Sequence, residues 1–115
     1  MNISIVMLGV ADGEKATAFY RDRLALTVTN QHEGFVFLNA GPITLVLSAA
    51  LGTALGKEPG NTEVVFTVEH VRAAYDSLIA KGVEFLGEPR VTTGIFWSAN
   101  FKDPDGHLLS IFGPE

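Results

Sequence analysis

At 115 residues, 47% of them hydrophobic and eight of them Phe, the chain is the size of one domain with ample side chain for a folded core, which excludes an intrinsically disordered protein. Eight Lys and Arg against 13 Asp and Glu give a formal charge of −5, the wrong balance for a surface that neutralises nucleic-acid phosphates. The absence of Cys removes disulfides, thiolate metal sites and a Cys nucleophile; the apolar start from Ile3 to Leu8 lacks a basic flank and is too short for a signal peptide or membrane span, so the cytoplasm is the expected location.

Ile3 to Val10 is short, apolar and rich in Ile and Val, which predicts a strand buried on both faces. Asp12 then offers an N-cap, and Ala16, Phe19, Tyr20 and Leu24 fall at helical spacing, so a helix is expected to about Leu24. Leu26 to Thr29, Gly34 to Leu38 and Ile43 to Ser48 are β-type runs separated by turn residues. Ala49 to Asn61 contains Gly52, Gly56, Pro59 and Gly60 without a sustained pattern and reads as a linker. The same order then restarts. Glu63 to Glu69 alternates as a strand, and Val71, Ala74, Tyr75, Leu78 and Ile79 mark an amphipathic helix closed by Gly82. Val83 to Leu86, Ile95 to Phe101 and His107 to Phe112 give three more strands, with Asp103-Pro104-Asp105-Gly106 as a tight turn before the last.

The chain is therefore an α+β domain spanning residues 1–115, built as an internal repeat of two βαβββ modules. Module one covers 1–48, the linker 49–61 and module two 62–115, with Val10 in register with Val68. A single βαβββ unit has one helix, which covers one face of its sheet and leaves the other needing a partner.

Asp12 to Leu26 reads D-G-E-K-A-T-A-F-Y-R-D-R-L-A-L, and the second half carries V-R-A-A-Y-D-S-L-I-A-K-G-V followed by F-K-D-P-D-G-H-L-L-S-I-F. Over nearly the whole chain these segments resemble the vicinal-oxygen-chelate superfamily of glyoxalases, bleomycin-resistance proteins and ring-cleaving dioxygenases, with its F-Y-x-x-x-L-G-L helix and D-P-D-G turn. The resemblance implies the glyoxalase/bleomycin-resistance fold and a homodimer. It also implies a cavity under the curved sheet where metal-bearing members place four His, Glu or Gln ligands on the first and last strands of each module.

Carried over residue by residue, those four positions fall on Ile5, Val46, Glu63 and Ser110; a slip of two on the fourth strand would put Thr44 in place of Val46. One carboxylate and one hydroxyl are too few for a divalent catalytic metal, which wants three protein ligands and an open position. No metal and no other cofactor is expected. Glu63 is either a solvated strand start or a cavity carboxylate that accepts from a cationic ligand or serves as a general base. Trp97 and Phe37 are either core or aromatic walls of the cavity. His32, His70 and His107 fall off the ligand positions, and no phosphate-binding loop or Ser-His-Asp set is visible.

The function expected is metal-free binding of a small, apolar or planar molecule, with sequestration of an antibiotic-like ligand as the nearest analogy. The residues expected to line the site are Glu63, Ser110, Trp97, Ile5, Val46 and Phe37. The alternative is a lyase, isomerase or dioxygenase, metal-dependent or using Glu63 as base, and the sequence leaves open whether any reaction is catalysed. A small molecule and a second copy are the expected partners, with no nucleic acid and no membrane.

Overall fold

The computed structural model describes residues 3–55 and 62–115. The chain divides into two compact units, Met1–Glu58 and Pro59–Glu115. In the first, β1 (Ile5–Gly9) leads to α1 (Gly13–Ala18), which continues as a π-helical turn over Phe19–Arg23. Strands β2 (Thr27–His32), β3 (Phe35–Ala40) and β4 (Ile43–Ser48) follow, then α2 (Ala49–Leu55). The second holds β5 (Glu63–Thr67), α3 (Val71–Ala80), β6 (Arg90–Thr93), β7 (Phe96–Lys102) and β8 (Leu108–Pro114).

The two units repeat one topology. The first sheet runs β1-β4-β3-β2 and the second β5-β8-β7-β6. In each, the outer strand pairs in parallel with the last-formed one and the remaining pairs are antiparallel. The parallel pairs, β1 with β4 and β5 with β8, are what the intervening helix makes possible, since adjacent parallel strands need a long crossover.

Local chemistry sets the element ends. Asp12 Oδ1 accepts from the backbone N–H groups of Glu14 and Lys15 at 3.0 and 3.1 Å and starts α1 as expected. Asp103 Oδ1 accepts from the backbone of Asp105 and His107, both at 2.9 Å, which ties the turn between β7 and β8.

In the first unit Leu8, Val10, Ala16, Phe19, Tyr20, Leu38, Leu45 and Leu47 are buried. In the second the buried set is Val71, Val83, Ala99, Phe101, Leu109 and Ile111, and the Phe85 ring sits between Tyr75 and Phe101, with centroids 4.6 and 5.0 Å away.

Three expectations are corrected. The strand β1 is buried on one face only: Val6, Leu8 and Val10 turn inward while Ile5 and Met7 are 50% and 42% exposed. The run read as a linker opens with the helix α2, whose start is capped by Ser48 Oγ accepting from Leu51 N–H at 3.0 Å; residues 56–61 lie outside the described residues. Val83 to Leu86 gives only an isolated bridge, Phe85 to Phe101, and the strand forms instead at Arg90–Thr93. Pro89 explains the interruption, because a proline has no N–H to donate to a ladder.

Candidate functional site

Strand pairing decides which side chains share a face, because directly paired residues point the same way and neighbours along a strand alternate. On the first sheet, Ile5 pairs with Thr44 and Thr44 with Asn39, while Met7 pairs with Val46 and Val46 with Phe37. Ile5, Val46 and Phe37 are thus brought to one face, opposite the buried Leu8, Leu45 and Leu38. Val46 is fully buried between Met7 and Phe37, whereas Ile5 is half exposed. Gly9 lies on this face too, and α2 packs there: a Cβ on Gly9 would stand 2.9 Å from Gly52 Cα.

On the second sheet, Glu63 pairs with Leu108, and Val65 with Ser110, which pairs with Asn100. Glu63 and Ser110 therefore share a face, as neighbours on adjacent rows. Ser110 stands where Val46 stands in the first sheet, one row from the first residue of its unit's leading strand. Trp97 does not join them. It alternates with Ser98 and lies on the other face, where the Arg72 guanidinium of α3 sits 5.3 Å from its ring centroid. Arg72 is also held by Glu115 at 3.2 Å.

The open face of the second sheet carries residues that sequence reading missed. Asn100 Nδ2 donates to Glu63 Oε2 at 2.7 Å, reaching across β8, and Arg90 Nη2 donates to Asn100 Oδ1 at 2.8 Å. A carboxylate, an amide and a guanidinium thus form one chain from β5 to the edge strand β6. Charge-assisted bonds of this kind are the stronger class, and they orient both ends of the row. Beside it, Phe96 and Phe112 stack at 5.2 Å with their planes 17° apart. Ser98 lies between Arg90 and Phe112 in register. The available signal was the alternation in Trp97-Ser98-Ala99-Asn100-Phe101-Lys102, apolar on odd numbers and polar on even ones.

The donor set does not fit a divalent metal. In the first unit Ile5 and Val46 offer no ligand atom, and in the second Glu63 and Ser110 offer one carboxylate and one hydroxyl, fewer than the three protein ligands a divalent catalytic metal needs. Among the described residues no three His, Cys, Asp or Glu side chains converge.

A groove of about 600 Å³ lies between α1 and the turn joining β2 to β3, lined by Glu14, Thr17, Arg21, His32, Glu33 and Phe35 among others. None of the six expected site residues lines it. Its guanidinium is committed: Arg21 hydrogen-bonds Asp22 at 2.7 and 3.0 Å, which raises the pKa of Arg21 and lowers that of Asp22. The open face of the second sheet, with its converging polar groups, is the better candidate.

Comparison with known proteins agrees with the fold. The sequence model of the Glyoxalase/Bleomycin resistance protein/Dioxygenase superfamily matches residues 2–111. The protein YraH of Bacillus subtilis (strain 168) is 31% identical, covering 97% of this chain and 98% of YraH. Among solved structures, a lactoylglutathione lyase from Agrobacterium tumefaciens superposes with a TM-score of 0.81 at 19% identity, covering 97% of this chain and 92% of that one. TnmS3, an antibiotic binding protein from Streptomyces sp. CB03234, does so with a TM-score of 0.81 at 23% identity, covering 100% and 97%. At such identities the structural likeness speaks to the fold.

Proposed function

The chain belongs to the glyoxalase/bleomycin resistance protein/dioxygenase superfamily, and from that premise we propose that it binds a small planar molecule on the open face of its second sheet without a resident divalent metal. The fold alone decides nothing, since it serves both a lyase and an antibiotic-binding protein among its structural neighbours. The observation that carries the reading is the row Glu63–Asn100–Arg90 beside the stacked Phe96 and Phe112: fixed polar groups next to an aromatic surface, the composition of a ligand site. Sequestration of an antibiotic-like compound is the biological role this suggests. Glu63, held by Asn100, accepts a donor or cationic group of the ligand.

The same carboxylate favours a second reading. Asn100 engages only Oε2 of Glu63, so the group is oriented as a general base would be, and a metal-free lyase or isomerase would use it to take a proton.

Two measurements test the proposal. Chelator-treated protein is unfolded thermally against Mn²⁺, Fe²⁺, Ni²⁺, Zn²⁺ and Co²⁺; a ligand at a hundred times its Kd would add about 2.7 kcal/mol, and no such shift is expected. A clear, selective upward shift rejects the metal-free reading. The native protein is then titrated with 2-naphthylmethylamine, and Glu63→Gln is expected to weaken binding about tenfold, the loss of one charge-assisted contact. Unchanged affinity removes Glu63 from the site, and turnover lost with affinity retained would establish the base instead.

A further inference from the structure

The strands of the second sheet contain three charged residues, Glu63, Arg90 and Lys102, and pairing places all three on the open face. Two cations against one carboxylate give this face a positive excess on a chain whose formal charge is −5. The three are not equivalent. Glu63 is engaged by Asn100, and Lys102 stands in the row of Leu108 and Glu63, at the far end from the phenylalanines. Arg90 stands on the edge strand, in the row of Ser98 and Phe112.

A guanidinium has five N–H donors. The bond to Asn100 uses Nη2 of Arg90, and among the described residues no carboxylate forms an ion pair with it. That bond fixes the fork in place and leaves donors for a second acceptor. Planar, bidentate recognition of a carboxylate is what a fixed fork does best. In register, only Ser98, a small side chain that is itself buried, stands between Arg90 and Phe112. At a strand spacing of about 4.8 Å, the two strand-to-strand steps from Arg90 to Phe112 span about 10 Å, the reach of a two-ring aromatic acid.

We infer that Arg90 determines the specificity of this face and that the ligand is a planar aromatic acid. Its anionic group lies on Arg90, and its ring crosses Ser98 to meet Phe112 and Phe96. The inference rests on the ligand-binding reading of the same face and narrows it: Glu63 and Arg90 stand at opposite ends of one hydrogen-bonded row, so a donor group of the ligand goes to the first and its acid to the second.

The test compares 2-naphthoate with 2-naphthalenemethanol, the same ring system with and without the charge, by isothermal titration at low salt. Native protein is expected to bind the naphthoate at least about tenfold more tightly than the alcohol, the increment of a charge-assisted pair. Arg90→Gln should abolish the preference, so that this variant binds the naphthoate and the alcohol alike, while Arg90→Lys should retain part of the preference. Arg90 is exposed, so both variants should fold, with unchanged melting as the check. Equal affinities in the native protein, or a preference that survives Arg90→Gln, would overturn the inference and leave the ligand-binding reading intact. Failure of both naphthalenes to bind would overturn both.

Discussion

The two sheets share a topology and differ in what their open faces present. The strands of the first contain no Asp, Glu, Lys or Arg, and the corresponding face carries the apolar Ile5, Met7, Val46 and Phe37 beside the uncharged polar Thr44, Asn39 and Thr27, with α2 packed over Gly9 at one end. The second presents the polar row Glu63–Asn100–Arg90 with Ser110 below it. Duplicated backbones thus carry two chemistries: one face without a charged side chain, the other with a charged, hydrogen-bonded row. The difference lies in the side chains on alternate strand positions, so it can be broken one residue at a time.

The largest effect is expected where the two units solve the same packing problem with different elements. In the first, Gly52 of α2 presses on the end of β1, and a Cβ there would stand 2.3 Å from the Val10 carbonyl oxygen. In the second, Gly113 of β8 presses on Val68, and its Cβ would stand 2.2 Å from the Val68 oxygen. Both obstacles are backbone, which cannot rotate aside. Gly52→Ala and Gly113→Ala should each cost about 3 kcal/mol, at the upper end of overpacking penalties, read from urea midpoints. If Gly52→Ala is tolerated, α2 is a loose cover and the first sheet is more open than its burial implies.

An exchange of Val46 and Ser110 sharpens the comparison next. Val46 is fully buried, so Val46→Ser removes methyl groups from a packed site and should cost about 1–3 kcal/mol. Ser110 is 3% exposed, and Ser110→Val adds apolar surface in nearly the same volume, so it should be neutral or stabilising by up to about 1 kcal/mol. Opposite signs at equivalent positions would show that Ser110 is held for what it binds rather than for stability. A comparable loss in Ser110→Val would make it a structural hydroxyl instead.

How much of this was legible follows from the range of each interaction. The repeat could be read because Val10 and Val68 each directly follow a leading strand, and the cap at Asp12 and the turn at Asp103 act within four residues. The helix α2 could not: Ala49 to Leu55 has no charged residue to mark a face, and its place depends on the close approach of Gly52 to Gly9, far away in sequence. The side of Trp97 was readable from its alternation with Ser98 and Asn100, but the apolar run before it masked the pattern. Arg90 was invisible as a site residue, since only the pairing of β6 with β7 brings it to Asn100 and Ser98.

The smallest expected effect concerns how the chain leaves its helices. In the second unit Gly82 follows α3 at φ 92°, left-handed backbone that glycine adopts at no steric cost. In the first, the corresponding exit after the π-helical turn is Ala25 at φ 60°, where the superfamily pattern has glycine and a Cβ is strained by about 1–2 kcal/mol. Ala25→Gly relieves that strain but gives the unfolded chain more freedom, worth about 0.4–1 kcal/mol in the other direction. The net should be stabilisation of up to about 1 kcal/mol, while Gly82→Ala should destabilise by about the same amount or slightly more. Thermal unfolding of the two variants beside the native protein checks the pair. Destabilisation in both would mean that Ala25 packs its methyl to advantage, and that the first unit has traded backbone ease for side-chain contact at its helix exit as it has on its sheet.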